Sequence, residues 1–198
     1  MQSSADDVCV GLVLAAGSSR RLGQPKQLLA YGTGTLLGHT LAVARASALD
    51  QVVVVLGASS EAIRDQVDLS GITVTESPAP EQGCALSIGA GLVALREDWT
   101  TLVLLLGDQP GVTPETVGAL RAGRGVAPVA VCLYDDGPGH PLAFARELAP
   151  ELGALHGDRG VWKLLDRHAA VAARVPVAGS VPRDVDTWDD YEAVLQLL

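Results

Sequence analysis

The stretch from Val8 to Leu29, VCVGLVLAAGSSRRLGQPKQLL, constrains the chain more than any other. It opens as an apolar run of Val, Leu and Cys that reads as a buried strand. At Gly17 it breaks into a small, polar, basic loop holding Ser18, Ser19, Arg20, Arg21, Gly23 and Lys26. A buried strand that ends in glycine and cations is how an α/β protein presents backbone N–H groups and positive charge to a phosphate chain. On local grounds the loop is either such a phosphate cradle or a plain tight turn.

Downstream, apolar runs and helical periodicities alternate. Leu36–Ala48 predicts a helix, Gln51–Gly57 a second buried strand, and Ser59 or Ser60 the cap of a helix to about Val67. Gly71–Glu76 reads as a third strand, Cys84–Arg96 as a helix, and Thr101–Leu106 as a fourth strand ending in Gly107-Asp108-Gln109-Pro110. Thr113, Pro114 and Glu115 supply an N-cap, a proline at N1 and a first-turn acid for a helix over Thr113–Arg121. Strands apolar throughout and alternating with helices predict a parallel sheet covered on both faces, with ligands at the C-terminal strand ends. The second half is less regular. Val129–Tyr134 is a strand, DDGPG a turn, and Pro141–Phe144 a short antiparallel strand; a helix over Gly160–His168, a strand over Val171–Val177 and a helix over Thr187–Leu197 follow.

At 198 residues, 48% hydrophobic and 19% charged, the chain suits one globular domain with a full core. No apolar run approaches a membrane span, and MQSSADDVCV lacks a cationic leader, so a cytoplasmic location is expected. The net charge of −9 argues against nucleic acid and anionic membranes as partners. It leaves room for a small phosphorylated ligand, because the loop concentrates cations locally. Cys9, Cys84 and Cys132 are odd in number and far apart, and read as buried small hydrophobes.

Among residues able to do chemistry, GTGTLLG at Gly32–Gly38 fails the dinucleotide fingerprint, since its third glycine falls one position late. Gly17–Gly23 is not a P-loop, because Lys26 does not follow the second glycine. Lys26 and Arg21 are the candidate α- and γ-phosphate cations, against the plain alternative of solvated loop side chains. Asp108, at the end of the most apolar strand, suits a Mg²⁺ ion held largely by substrate phosphates. Asp186 becomes a second metal ligand if its segment lies near Asp108, whereas Asp189 and Asp190 read as first-turn helix acids. Gly139-His140-Pro141 offers an acceptor-binding or a structural histidine; His39, His156 and His168 read as surface or packing residues.

Together these features resemble the MocA/MobA-like nucleotidyltransferases, typified by molybdenum cofactor cytidylyltransferase. The opening pattern LAAGxSxRxGxxKxLL is matched by Leu14, Ala15, Ala16, Gly17, Ser19, Arg21, Gly23, Lys26, Leu28 and Leu29. GDQP is matched by Gly107–Pro110, GHP by Gly139–Pro141, LxGDxG by Leu155, Gly157, Asp158 and Gly160, and DxDTxxD by Asp184, Asp186, Thr187 and Asp190. The loop before the third helix fits at Pro78, Gly83, Ser87 and Gly91, with Ser77 where the family has Asn.

The resemblance implies an α/β, Rossmann-like three-layer sandwich of the nucleotide-diphospho-sugar transferase type, mostly parallel with an antiparallel element in the C-terminal half. It implies a single domain, 1–198, with an NTP-binding half over about 1–125 and an acceptor half over about 126–198. The implied reaction moves a nucleoside monophosphate, CMP from CTP, to a phosphorylated acceptor of molybdopterin type and releases pyrophosphate. Arg21, Lys26 and Asp108 would be catalytic. Leu14, Ala15, Ala16, Gly17, Ser18, Ser19, Arg21, Lys26, Ser77, Pro78, Gly83, Ser87 and Asp108 would bind the nucleotide. Gln109, Pro110, Gly139, His140, Pro141, Gly157 and Asp158 would face the acceptor. Asp108 and Asp186 would hold Mg²⁺, with Mn²⁺ as the alternative, and a molybdoenzyme or its chaperone would be a protein partner. Competing readings are the same chemistry on a sugar phosphate or other cofactor phosphate, and a non-catalytic protein that delivers a nucleotide or cofactor.

Overall fold

A computed structural model of the protein describes residues 7–157 and 159–198. In chain order the elements are β1 (Cys9–Ala15), a small hairpin of β2 (Ala30–Tyr31) and β3 (Gly34–Thr35), α1 (Leu36–Ala46) and β4 (Gln51–Leu56). Next come α2 (Ser60–Gln66), β5 (Thr73–Glu76), α3 (Cys84–Ala94), β6 (Thr101–Leu106) and α4 (Pro114–Arg124). The chain continues through β7 (Val129–Tyr134), β8 (Gly137–Ala145), α5 (Ala149–Gly153), α6 (Gly160–Arg167), β9 (Ala173–Pro176) and α7 (Trp188–Leu195).

Seven strands form one sheet in the order β5-β4-β1-β6-β8-β7-β9. Only β8 runs against its neighbours, pairing antiparallel with both β6 and β7. The sheet is therefore mostly parallel, with an antiparallel element in the second half, and helices cover both faces.

The period-2 alternation of side chains sorts the core into two layers. On one face Val13, Val54, Leu105 and Ala143 meet Leu41 of α1, Ile63 of α2 and Leu120 of α4. On the other, Leu12, Val53, Leu104 and Phe144 meet Ile88 of α3, Leu152 of α5 and Leu164 of α6. Each fully buried Val, Leu or Phe contributes about 1.5–3 kcal/mol of apolar burial, so these layers fix the strand ends rigidly. No helix among the described residues is long and apolar enough to cross a membrane.

The sequence-predicted elements reappear with ends shifted by a few residues, and three regions differ more. β8 is a nine-residue strand and not the short Pro141–Phe144 piece, because the turn before it shrinks to Asp135 and Asp136. Gly137, at φ 146°, starts the strand in a conformation few other residues adopt, and a register shift between Val131 and Cys132 passes over His140 and Pro141 farther along β8. The hairpin β2–β3 and helix α5 carry too few residues to show a period, and the sequence does not announce them.

A third apolar cluster positions the site. Leu22, Leu29, Tyr31 and Leu36 from the loop region pack on Val185 and Val194 near and within α7. Thr187 caps α7 in a full capping box, its Oγ1 accepting from Asp190 N while the Asp190 carboxylate accepts from Thr187 N. The segment 181–187 is thereby pressed against the loop that follows β1.

Candidate active site

A cavity of about 480 Å³ opens where β1 and β6 end. Its walls are Leu14–Gly17, Lys26 and Gln27; Pro80, Gly83, Cys84 and Ser87; Gly107–Gln109; Pro138–His140; Val161 and Trp162; and Val181, Pro182, Asp184 and Asp186. This is the C-terminal edge of the parallel strands, where open α/β sheets bind ligands.

The loop after β1 is tightly held. A Cβ at Gly57 would lie 2.4 Å from the Ala16 carbonyl oxygen, so only glycine lets the loop approach the end of β4 this closely. Ser19, in the left-handed region at φ 50°, accepts through Oγ from Lys26 N at 2.9 Å. That bond closes the loop and starts the single 3₁₀ turn Lys26–Leu28. The Lys26 side chain then runs across Gly17, where a Cβ would lie 3.5 Å from Lys26 Cε.

Lys26 is 8% exposed, and its Nζ forms ion pairs with Asp108 and, at 2.7 Å, with Asp186 Oδ1. Burial works against its charge, but the two carboxylates outweigh burial and hold the ammonium pKa above its usual value. The Lys26 hydrogen bond in turn keeps the Asp186 carboxyl below the ordinary range. Arg21 adds a second bond to Asp186, at 2.6 Å, from the exposed rim. Asp184 lies in the same wall with its pKa pushed up to about 6, first by burial and then by the nearby Asp108 charge. Gln109 is buried and donates through Nε2 to Pro182 O at 3.1 Å, tying the 181–186 segment to the end of β6.

The far end of the cavity is apolar. His140 is buried with its ring edge-on to Trp162, centroids 5.4 Å apart, and its carbonyl accepts from Tyr134 Oη at 2.7 Å. Burial lowers the His140 pKa to about 4, so the ring is neutral at pH 7. In the roof, Ser87 Oγ bonds Ser77 Oγ at 3.1 Å; both are buried.

Of the residues expected from sequence, Leu14, Ala15, Ala16, Gly17, Lys26, Gly83, Ser87, Asp108, Gln109, Gly139, His140 and Asp186 all line this one cavity. Others do not. Ser18 and Ser19 are not among the wall residues, and the Ser19 hydroxyl braces the loop. Arg21 is drawn to the rim by Asp186. Ser77 sits behind Ser87, and Pro78, Pro110 and Pro141 shape the backbone without entering the wall. Gly157 lies outside it too, with its carbonyl 3.8 Å from Cys84 Sγ. Asp158 falls outside the described residues.

Cys84 itself lines the cavity and is only partly buried, unlike Cys9 and Cys132. Sequence reasoning gave no role to Gln27, Asp184 or Trp162. Asp184 was within reach of it, standing two residues before Asp186, whereas only the packing of α6 places Trp162 here.

Among the described residues, no group of three or more His, Cys, Asp and Glu side chains is arranged to hold a metal unaided. Asp108 and Asp186 nevertheless converge on one cation, Lys26 Nζ. Their hard oxygens suit a divalent ion that takes its remaining ligands from phosphate and water.

Residues 11–171 match the model of the MobA-like NTP transferase domain. The chain belongs to that family. The crystal structure of Rv0371c from Mycobacterium tuberculosis H37Rv is 44% identical, with TM-score 0.89 over 95% of this chain and 97% of that one. A manganese complex of Rv0371c is 42% identical, with TM-score 0.85 over 96% and 99%. Nicotine blue oxidoreductase of Paenarthrobacter nicotinovorans is 30% identical over 198 residues, covering 94% of this chain and 97% of that protein. Bifunctional GlmU of Xanthobacter autotrophicus is 33% identical over 141 residues, 68% of this chain, but the match spans about a third of its own length, 31%. As an NTP transferase family member, the chain has its strand-end cavity where a nucleotide-transferring domain needs one.

Proposed function

We propose that the protein transfers CMP from CTP to a phosphorylated acceptor of molybdopterin type and releases pyrophosphate. The observation that carries this reading is the buried Lys26 between Asp108 and Asp186, at the mouth of a cation-bearing loop. Lys26 and Arg21 oppose Asp108, Asp184 and Asp186, leaving the cluster one negative charge in excess. A triphosphate does not enter such a site alone. Asp108 and Asp186 would hold a divalent cation accompanying the triphosphate, which would neutralise the excess charge, and Lys26 would then be available to phosphate oxygens.

In this reading Mg²⁺ or Mn²⁺ supplies charge neutralisation at the phosphates. The protein's own groups do the rest. Loop N–H groups and Lys26 align and neutralise the α-phosphate, and Arg21 meets the β/γ end. A phosphomonoester acceptor is already anionic near pH 7, so no protein base is required. Residues of about 1–125 hold the nucleotide. Residues of about 126–198 supply the acceptor end, where neutral His140, Trp162 and Val161 would take a flat, weakly charged ring. Ser77, paired with Ser87, stands where the family carries Asn.

The test is thermal stabilisation by CTP, GTP, ATP and UTP with Mg²⁺ or Mn²⁺, on the wild type and Asp108→Ala. A shift with CTP alone, lost in the variant, supports the cytidylyl reading. A shift with another NTP keeps the chemistry and changes the donor. No shift with any nucleotide overturns it. A redox reading has one observation in its favour, the oxidoreductase name of the relative aligned over nearly the entire chain. The failed dinucleotide fingerprint counts against it, and stabilisation by NADH or NADPH in place of NTPs would favour it.

A further inference from the structure

Gln27 follows the lysine, is 3% exposed and lines the cavity. Its Nε2 donates to the carbonyl oxygens of Ala15 at 2.7 Å and Gly17 at 3.0 Å. A carboxamide nitrogen has two N–H donors, and these two bonds use both. Its Oε1 is buried and meets no donor among the described residues. Leaving a buried acceptor unmatched is unfavourable, yet the opposite orientation would set that oxygen against two carbonyls. The amide is held one way round by the loop.

The bonds also orient the loop. Within a trans peptide group the carbonyl and the N–H of the following residue point in opposite senses. Carbonyls 15 and 17 are turned onto Gln27, so the N–H groups that share their peptide planes, those of Ala16 and Ser18, point the opposite way, and among the described residues neither donates to a protein acceptor. Without Gln27 those carbonyls would be free to swing toward the cavity, where their negative ends repel an anion.

We propose that Gln27 is a positioning residue for polyphosphate binding: it ties back the loop's carbonyls so that the loop meets the phosphates with N–H groups alone. The inference rests on the nucleotide reading above. It adds that an uncharged, buried side chain makes the loop an anion site.

Calorimetric titration with pyrophosphate and with CTP, each with Mn²⁺, on wild type, Gln27→Met and Gln27→Glu, tests it below each protein's melting temperature. Gln27→Met removes both donors, and Gln27→Glu keeps the shape but opposes carbonyls with carboxylate oxygens. The expected result is a loss in pyrophosphate affinity of about 10–100-fold for Met, the equivalent of one or two hydrogen bonds to a charged group, and a larger loss for Glu. The Ala16 and Ser18 amide resonances should shift on pyrophosphate addition in wild type and stay in place in the variants. A residue that only supports the fold would lower the melting temperature and leave affinity within about twofold of wild type; that result overturns the proposal. Should Gln27→Met not fold, the isosteric Gln27→Glu carries the same comparison. Wild type that binds neither pyrophosphate nor any NTP overturns the nucleotide reading and this inference with it, whereas binding undiminished in the variants overturns this inference alone.

Discussion

At one end of the cavity Lys26, Asp108, Asp184 and Asp186 crowd charge into a small volume; at the other, His140, Val161 and Trp162 present rings and methyl groups. The environments move protons in opposite directions. Burial beside Asp108 makes Asp184 hold its proton up to about pH 6, and burial among rings makes His140 refuse one down to about pH 4. Both shifts come from desolvation, and both leave the group neutral over a wider pH range. The charged end therefore takes an anion only together with a cation, and the apolar end excludes both. A ligand with a polyanionic end and a planar, weakly charged end fits that gradient.

Three experiments press on the contrast, beginning with the largest effect. Lys26→Met removes the one ammonium shared by two carboxylates and is expected to lower the rate of pyrophosphate release by about 10²–10³-fold, as for loss of one preorganised charge. The variant should also melt lower than wild type at pH 8, because Asp108 and Asp186 lose the ammonium they share. Turnover near the wild-type rate would remove Lys26 from the chemistry.

The apolar end gives the next effect. Because the folded pKa of His140, about 4, lies below the unfolded value of 6.5, the unfolded chain binds the extra proton between those limits. The His140 contribution is present above about pH 6.5 and is lost as pH falls toward 4, on the order of 3 kcal/mol. Denaturant titrations at pH 7 and pH 4.5 should show that loss in wild type and not in His140→Gln. Equal acid sensitivity in both proteins would place its cause elsewhere.

The smallest effect carries the opposite sign. Asp184 has a folded pKa of about 6 against 3.8 unfolded, so its burial weakens the fold as pH rises through that window. Asp184→Asn should raise the unfolding free energy at pH 8 by about 1 kcal/mol once solvent screening is allowed for, and leave it unchanged at pH 4. A gain of the same size at both pH values would show that charge burial is not the cause.

How much of this was legible in the sequence depended on the range of the interaction. Strands β1, β4 and β6 are apolar over their length, so the parallel core and its ligand-bearing edge could be read directly. The Lys26, Asp108 and Asp186 motifs were legible as separate pieces. That they share one ammonium group was not, because the bond from Lys26 to Asp186 joins residues 160 positions apart. Arg21 was read as a phosphate cation, and Asp186 draws it to the rim for the same reason. Gln27 escaped notice because a neutral amide carries no motif of its own; its part depends on two carbonyls that only the folded loop brings to it. Ser19, conversely, looked like a ligand contact and is a brace.

The packing of Leu22, Leu29 and Tyr31 on Val185 and Val194 bears on how the protein is made. During synthesis the loop after β1 leaves the ribosome long before the segment that carries Asp186 and α7. Until that segment arrives, the loop has neither its apolar seat nor half of its counter-charge. Long-range closure of this kind is slow relative to local folding, so nucleotide binding should be among the last properties a nascent chain acquires.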